Sequence, residues 1–288
     1  MTSEECSCSP LSFLRLQSWL SPTFPNGAYS YSHGLEWAVE AGHIHDRPSL
    51  VDWLEADLCY GSGRNEGIFF SEAYRCAVND DRVKLMRVAE VAAASRGTSE
   101  FALEPSQQAT ACLNTLRQVW SDRILDFLLG VQFQPVLAVV LGVRSARERI
   151  PVRVALPAFL HSYVANLAIA GVRLIPLGQT DGQLAIANLE HAVLSASAQG
   201  TCATLDDLGS AGFMVELASI AHGPESALEI TRMPNPLSRG LPTSGPPCSR
   251  HCTARAWPPP WGRRSQSTST PPDVDVRAPC LLALVASS

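Results

Sequence analysis

Residues 21–36 read SPTFPNGAYSYSHGLE and separate two apolar helical patterns. Pro22 and Pro25 remove backbone donors and fix φ, so a helix cannot run through this stretch. Asn26-Gly27 is a dipeptide that tolerates the positive φ of a tight turn. Beyond the turn the stretch carries aromatic and hydrogen-bonding side chains, among them Tyr29, Ser30 and His33. Because long polar loops are more often functional than merely connecting, this stretch is the first candidate site.

The composition indicates a cytoplasmic protein with a substantial core. The 288 residues are 46% hydrophobic, and the net charge of −5 gives no electrostatic reason to expect nucleic-acid binding. Met1–Pro10 is acidic and lacks the charged and apolar regions of a secretory signal. Nine cysteines in a chain without an export signal or a disulfide framework are typical of reduced thiols.

The most apolar stretch, Val154–Val172, is interrupted by Pro157, His161 and Asn166. A membrane span needs about 20 predominantly apolar residues, so the sequence predicts no such span here.

Apolar residues recur at helical spacing through most of the first 221 residues. Pro48 and the pattern Ser49-x-x-Asp52 predict the first turn and capping box of a helix that runs to about Tyr60. The valine-rich runs at 136–143 and 152–156 also fit short strands, but they lack period-two alternation, which favours buried helices.

No βαβ alternation and no series of hairpins is present, so the prediction is an all-α fold. We expect a single-domain bundle of roughly eight to ten helices. The predicted segments are 11–20, 35–41, 49–60, 66–78, 82–94, 104–129 (one helix or two), 134–141, 152–172, 178–197 and 205–221.

The character of the chain changes near residue 231. Residues 231–288 hold 11 of the 21 prolines and seven arginines against two aspartates, without an amphipathic period. Such a segment cannot bury enough apolar surface to offset its ordering entropy. The predicted organisation is therefore a flexible start at 1–10, a helical domain at 11–230 and a disordered low-complexity tail at 231–288.

A second polar corner lies at residues 171–183, GVRLIPLGQTDGQ. Pro176 and Gly178 predict a sharp turn between two helices. The first turn of the second helix is crowded with polar groups, and the carboxylate of Asp181 suits the positive end of a helix. The polar residues there include Gln179 and Gln183.

Both corners resemble the urease accessory protein UreF family. The first carries the family's proline, Gly-aromatic-Ser segment and Ser-x-Gly-Leu-Glu element at 22–36, and the second carries Gly-x-x-Leu-x-Pro-x-Gly-Gln at 171–179. Residues 34–42 and 155–163 also fit, so the resemblance covers roughly residues 11–222. The two motifs are specific because they occur together, in order and at the right separation.

The resemblance implies an all-α accessory protein with no catalytic chemistry, cofactor or nucleotide site of its own. UreF proteins bind UreH, called UreD in many bacteria, dimerise and recruit the GTPase UreG, and the assembly delivers nickel to apo-urease. By motif position, Glu36 and Arg173 are the first candidates for partner binding or coupling. The next candidates are Tyr29, Ser30, His33, Gln179 and Gln183.

The chain departs from the family pattern in two places. Glu104-Pro105-Ser106 lacks the arginine of the family's Glu-x-Arg-x-x-Ser segment. Residues 218–222 match, but Gly223-Pro224 follows, and the tail replaces the short Tyr- and Arg-containing ending that helps UreF proteins dock UreH.

Several of these residues have alternative interpretations. His43 and His45 offer imidazole ligands for nickel, although histidines in such a loop are commonly only solvated. His33 lacks a nucleophile and an orienting acid, so a hydrogen-bonded loop histidine competes with a general base. Glu36 also fits a first-turn carboxylate, and Arg173 also fits a buried ion pair with Glu36 or another acid. The rival functions are thus a nickel-binding metallochaperone in its own right and an all-α enzyme.

Overall fold

The computed structural model describes residues 8–24, 35–95 and 99–209, without the side chains of 99–106 and 108. These residues form eleven α-helices and one short 3-10 turn, Leu205–Asp207, and contain no strand. The helices are α1 (Pro10–Leu20), α2 (Leu35–Glu40), α3 (Arg47–Tyr60), α4 (Ser62–Val78), α5 (Arg82–Ala94), α6 (Ser99–Val119), α7 (Arg123–Gly130), α8 (Leu137–Arg147), α9 (Val152–Leu174), α10 (Gln179–Asn188) and α11 (Glu190–Cys202). The all-α prediction is confirmed, with slightly more helices than expected. The tail at 231–288 and most of the segment predicted at 205–221 lie outside the described residues.

Helix α4 lies at the centre of the bundle. It packs against α3, α5, α8, α9 and α11, and residues 66–73 are buried without interruption. Its backbone meets that of α8 at Gly142, where an added Cβ would come within 2.4 Å of the Phe70 carbonyl oxygen. At the crossing with α11, a Cβ on Gly200 would come within 3.3 Å of the Gly67 backbone. The tight packing around α4 therefore depends on glycines at its crossings.

Helix α9 is long and apolar enough, by length and composition alone, to cross a bilayer. Half of its most apolar window is buried inside the protein, and it packs against α1, α2, α3, α4, α8, α10 and α11. These contacts identify α9 as a core helix of the bundle.

Helix α1 is fastened to α8 by charged and aromatic contacts. Arg15 donates to the carboxylate of Glu148 at 2.5 Å, and the buried Arg144 pairs with the same carboxylate. The Arg144 guanidinium also lies 5.5 Å from the ring centroid of Trp19, which meets Trp120 edge-on. Burial lowers the pKa of Arg144 to about 10, so the guanidinium stays charged at neutral pH and requires the carboxylate.

Helix α3 begins at a different cap from the one predicted. Asp46 is its N-cap: the carboxylate accepts from the Ser49 N–H at 2.9 Å, and the Asp46 N–H donates to the Ser49 hydroxyl at 3.1 Å. The predicted box Ser49-x-x-Asp52 is therefore wrong. Pro48, which has no N–H to donate, lies within the first turn of a helix that Asp46 has already capped.

Two long predicted segments are divided in the structure. Residues 104–129 form α6 and α7, which are separated at Trp120-Ser121, and Asp122 caps α7 by accepting from the Ile124 N–H at 3.0 Å. Residues 178–197 form α10 and the first part of α11, joined through Leu189.

The buried carboxylate of Asp57 binds backbone N–H groups at the point where α3 ends and α4 begins. Asp57 is 1% exposed, and its carboxylate accepts from the Ser62 N–H at 3.0 Å and from the Tyr163 hydroxyl at 2.7 Å. A Cβ on Gly61 would come within 2.7 Å of this carboxylate, so the glycine leaves room for it. Burial raises the pKa of Asp57 to about 6, against the hydrogen bonds, which lower it.

This pKa makes the stability of the fold depend on pH. Because the folded pKa of about 6 lies above the ordinary value of 3.8, Asp57 stabilises the fold fully below pH 3.8, and that contribution is lost as pH rises through 6. Between pH 4 and pH 7 we expect the free energy of unfolding of Asp57→Asn, relative to the wild type, to rise by about 2.4 kcal/mol. Urea unfolding at a series of pH values measures the difference. Asp52→Asn, at an exposed position of the same helix, is the control, and a difference that is constant with pH for Asp57→Asn would refute the assignment.

Candidate partner-binding surface

Three helix ends meet at the second polar corner. Near the end of α9, a Cβ on Gly171 would come within 2.8 Å of the Leu50 side chain on α3. A Cβ on Gly182 of α10 would come equally close to the Val172 side chain. The ends of α9, α3 and α10 are therefore packed tightly against one another, which fixes the backbone of the corner.

An ion pair ties the starts of α3 and α10 together. The Arg47 guanidinium donates to Asp181 Oδ1 at 3.1 Å, while Asp181 Oδ2 accepts from the Gly178 N–H at 3.3 Å. The Asp181 carboxylate thus serves the helix N-terminus, as predicted, and also binds α3. The partly exposed pair contributes at most about 1 kcal/mol, so its main effect is to orient α10.

The corner presents its predicted polar residues to solvent. Arg173, Gln179 and Gln183 are all exposed, at the end of α9 and on the first two turns of α10. Arg173 is exposed, whereas Glu36, the acid considered as its ion-pair partner, is buried. Large side chains with several donors on a rigid backbone suit recognition of another protein.

Glu36 differs from the other candidates because it is buried. It lies in the first turn of α2 and is 8% exposed, and α2 packs against α9. The buried position supports a role in coupling α2 to the rest of the domain rather than direct contact with a partner. Tyr29, Ser30 and His33 lie outside the described residues, so the first corner stays a prediction.

The two candidate metal ligands flank a buried anchor between α2 and α3. Gly42 has a φ of 76° and ends α2, and the N–H groups of His43 and Ile44 both donate to the Ala38 carbonyl, at 2.8 and 3.1 Å. Ile44 is buried, whereas His43 and His45 are exposed.

Each histidine of this loop has its own neighbour. The His43 ring lies 5.4 Å from the ring of Trp37, and the His45 imidazole is 3.9 Å from the Asp46 carboxylate. Within the described residues no group of three or more His, Cys, Asp or Glu side chains is placed to hold a metal ion.

The contribution of Arg47 was not predicted from the sequence. Its partner Asp181 is 134 residues away along the chain, and no local pattern identifies such a pair. The only local signal is its place directly after the N-cap Asp46, which sets it at the first turn of α3.

Comparison with known proteins places this arrangement in one family. The UreF family profile matches residues 44–190, which include His45 and the whole second corner but not His43. A urease accessory protein UreF of Rhodopseudomonas palustris strain BisB5 is 45% identical over 229 residues, covering 76% of this chain and 93% of the relative. The UreF of strain HaA2 is 44% identical over 225 residues, covering 76% and 95%. The UreF of Bradyrhizobium diazoefficiens is 44% identical over 209 residues, covering 72% and 86%.

Proposed function

Because this chain belongs to the UreF family of urease accessory proteins, we propose that it is a non-catalytic scaffold of urease maturation. In this proposal it acts in the cytoplasm as a homodimer and bridges UreH/UreD and the GTPase UreG. The assembly then inserts nickel into apo-urease. Any effect of the chain on GTP hydrolysis is indirect.

The observation that carries the proposal is the exposed, rigid second corner. Arg173, Gln179 and Gln183 face solvent, while the backbone beneath them is held by close packing and by the Arg47–Asp181 ion pair. A preorganised surface loses little conformational entropy on binding, which favours a docking role. Arginine is also one of the residue types enriched at protein interfaces and among their hot spots.

Size exclusion with the purified partners tests the proposal. We expect residues 1–288 to elute in one complex with the cognate UreD and UreG. Residues 1–230, compared in parallel, show whether the 231–288 tail takes part, and equal complex formation by the two forms is the expected result. If neither form binds a partner while circular dichroism shows both to be helical, the fold assignment stands and the scaffold proposal fails.

Nickel binding separates the scaffold from the metallochaperone rival. In equilibrium dialysis we expect residues 1–230 to bind no stoichiometric, tight Ni²⁺, because His43 and His45 are held by separate contacts on an exposed loop. The double variant His43→Ala/His45→Ala is the control. Tight binding that this variant loses would favour the rival.

A further inference from the structure

The segment after α11 is held against α4 by arginine contacts to its backbone. Arg75 donates from Nη1 to the Thr201 carbonyl at 2.8 Å and from Nη2 to the Ala203 carbonyl at 2.5 Å. These carbonyls lie at the C-terminal end of α11, where the partial negative charge of the helix favours a cation. One guanidinium therefore caps α11 and fixes the first residues beyond it.

A second point of attachment lies at the start of α4. The Arg64 guanidinium donates to the Asp207 carbonyl at 2.6 Å, and the Gly209 N–H donates to the Asn65 side-chain oxygen at 3.4 Å. Arg64 and Arg75 are three turns apart on α4, or about 16 Å of helix. The segment therefore runs along α4 toward the N-terminus of that helix.

The short turn between these two points is closed by its own hydrogen bonds. The Thr204 N–H and hydroxyl donate to the Asp207 carboxylate at 2.8 and 3.1 Å. These bonds lower the pKa of Asp207, so the turn stays closed by an ionised carboxylate at neutral pH. Residues 204–207 thus have one defined conformation where Arg64 binds the Asp207 carbonyl.

The buried carboxylate of Glu72 forms an ion pair with Arg75. The Glu72 side chain is 2% exposed, and it lies 2.9 Å from Arg75 and 3.4 Å from Lys84. The ion pair with Glu72 therefore helps to orient the guanidinium that binds the segment. Lys84, on α5, shares the carboxylate, and within the described residues it forms no hydrogen bond or ion pair with residues 201–209.

We propose that Arg64 and Arg75 are positioning residues that clamp residues 201–209 onto α4 and so give this segment one fixed path along the helix. All of the arginine contacts are to backbone carbonyls, so the clamp holds the path of the segment whatever its side chains are. The functional half of the inference rests on the proposed scaffold role: binding of UreD requires residues 201–209 to be held in this position.

Amide hydrogen exchange in the full chain tests the clamp. In the double variant Arg64→Ala/Arg75→Ala we expect the amides of residues 203–209 to exchange at least tenfold faster, while those of α8 change less than twofold. Lys84→Ala is the matched control, because it also removes a cation from Glu72 but leaves the segment untouched. Replacing Arg75 by Lys instead of Ala keeps one charged donor, so this variant should retain part of the protection that the alanine variant loses.

Binding to the cognate UreD tests the functional half, and we expect the double variant to bind at least fivefold more weakly than Lys84→Ala. Unchanged exchange at 203–209 would overturn the clamp. Faster exchange with unchanged UreD affinity would overturn its role in partner binding. If the wild type itself does not bind UreD, the scaffold proposal fails, and the exchange measurement still decides whether the clamp exists.

Discussion

Gly142→Ala is expected to destabilise the protein by about 3 kcal/mol, a large part of the 5–15 kcal/mol that holds a typical domain together. The new methyl group would lie 2.4 Å from the carbonyl oxygen of Phe70 and 3.1 Å from its carbonyl carbon. Because these are backbone atoms of the central helix, neither can move unless α4 and α8 separate. Chemical unfolding followed by circular dichroism at 222 nm measures the change.

Gly130→Ala is the matched control for this prediction. Gly130 ends α7, is exposed, and has nothing within 4 Å of an added Cβ. We expect its free energy of unfolding to stay within about 0.5 kcal/mol of the wild type. Equal stabilities of the two variants would show that α4 and α8 do not approach as closely as described.

Arg173→Glu is expected to weaken the complex with UreD and UreG at least tenfold. Arg173 is exposed in the last turn of α9, so charge reversal changes the surface of the corner. A tenfold loss corresponds to about 1.4 kcal/mol, within the range of an interface arginine. Isothermal titration with each partner, alongside a thermal melt, separates binding from stability.

Arg117→Glu provides the comparison for this variant. Arg117 is also a partly exposed arginine in the last turn of its helix, α6, which packs against α7 and α8. We expect less than a twofold change in partner affinity, although its ion pair with Asp126 is lost. Equal losses in the two variants would indicate a general effect of charge and not a surface at the second corner.

The sequence predicted the fold class because helical periodicity and breaking residues act locally. The segment predicted at 35–41 forms α2, which stops just before the positive-φ Gly42, and Trp19, Leu50, Leu54 and Leu58 are buried. The surroundings of α4 are set by contacts distant in sequence. Its Glu66 and Glu72 are charged residues of the kind that usually lie on a solvated helix face, yet both are buried. Their burial results from the helices that pack around α4.

The sequence predicted where the candidate site lies along the chain, but it did not predict which of its side chains are exposed. Pro176 and Gly178 marked the corner, and Asp181 serves its helix as expected. Nothing local shows that Glu36 is buried while Arg173 is exposed, because burial depends on how α2 and α9 pack. The choice of Asp46 over Ser49 as the cap of α3 was also ambiguous, since either residue can cap a helix and Pro48 fits near either start.

Recruitment of UreG to immobilised UreD tests the central claim most directly. UreD is fixed to a biosensor surface, and UreG is passed over it with no addition, after loading this chain, or after loading the Arg173→Glu variant. The scaffold account predicts that UreG is retained after the wild-type chain has been loaded, at least tenfold more weakly after the variant has been loaded, and not at all without the chain. Equal retention of UreG without the chain, or no retention on a surface to which the chain has bound, would contradict the bridging role.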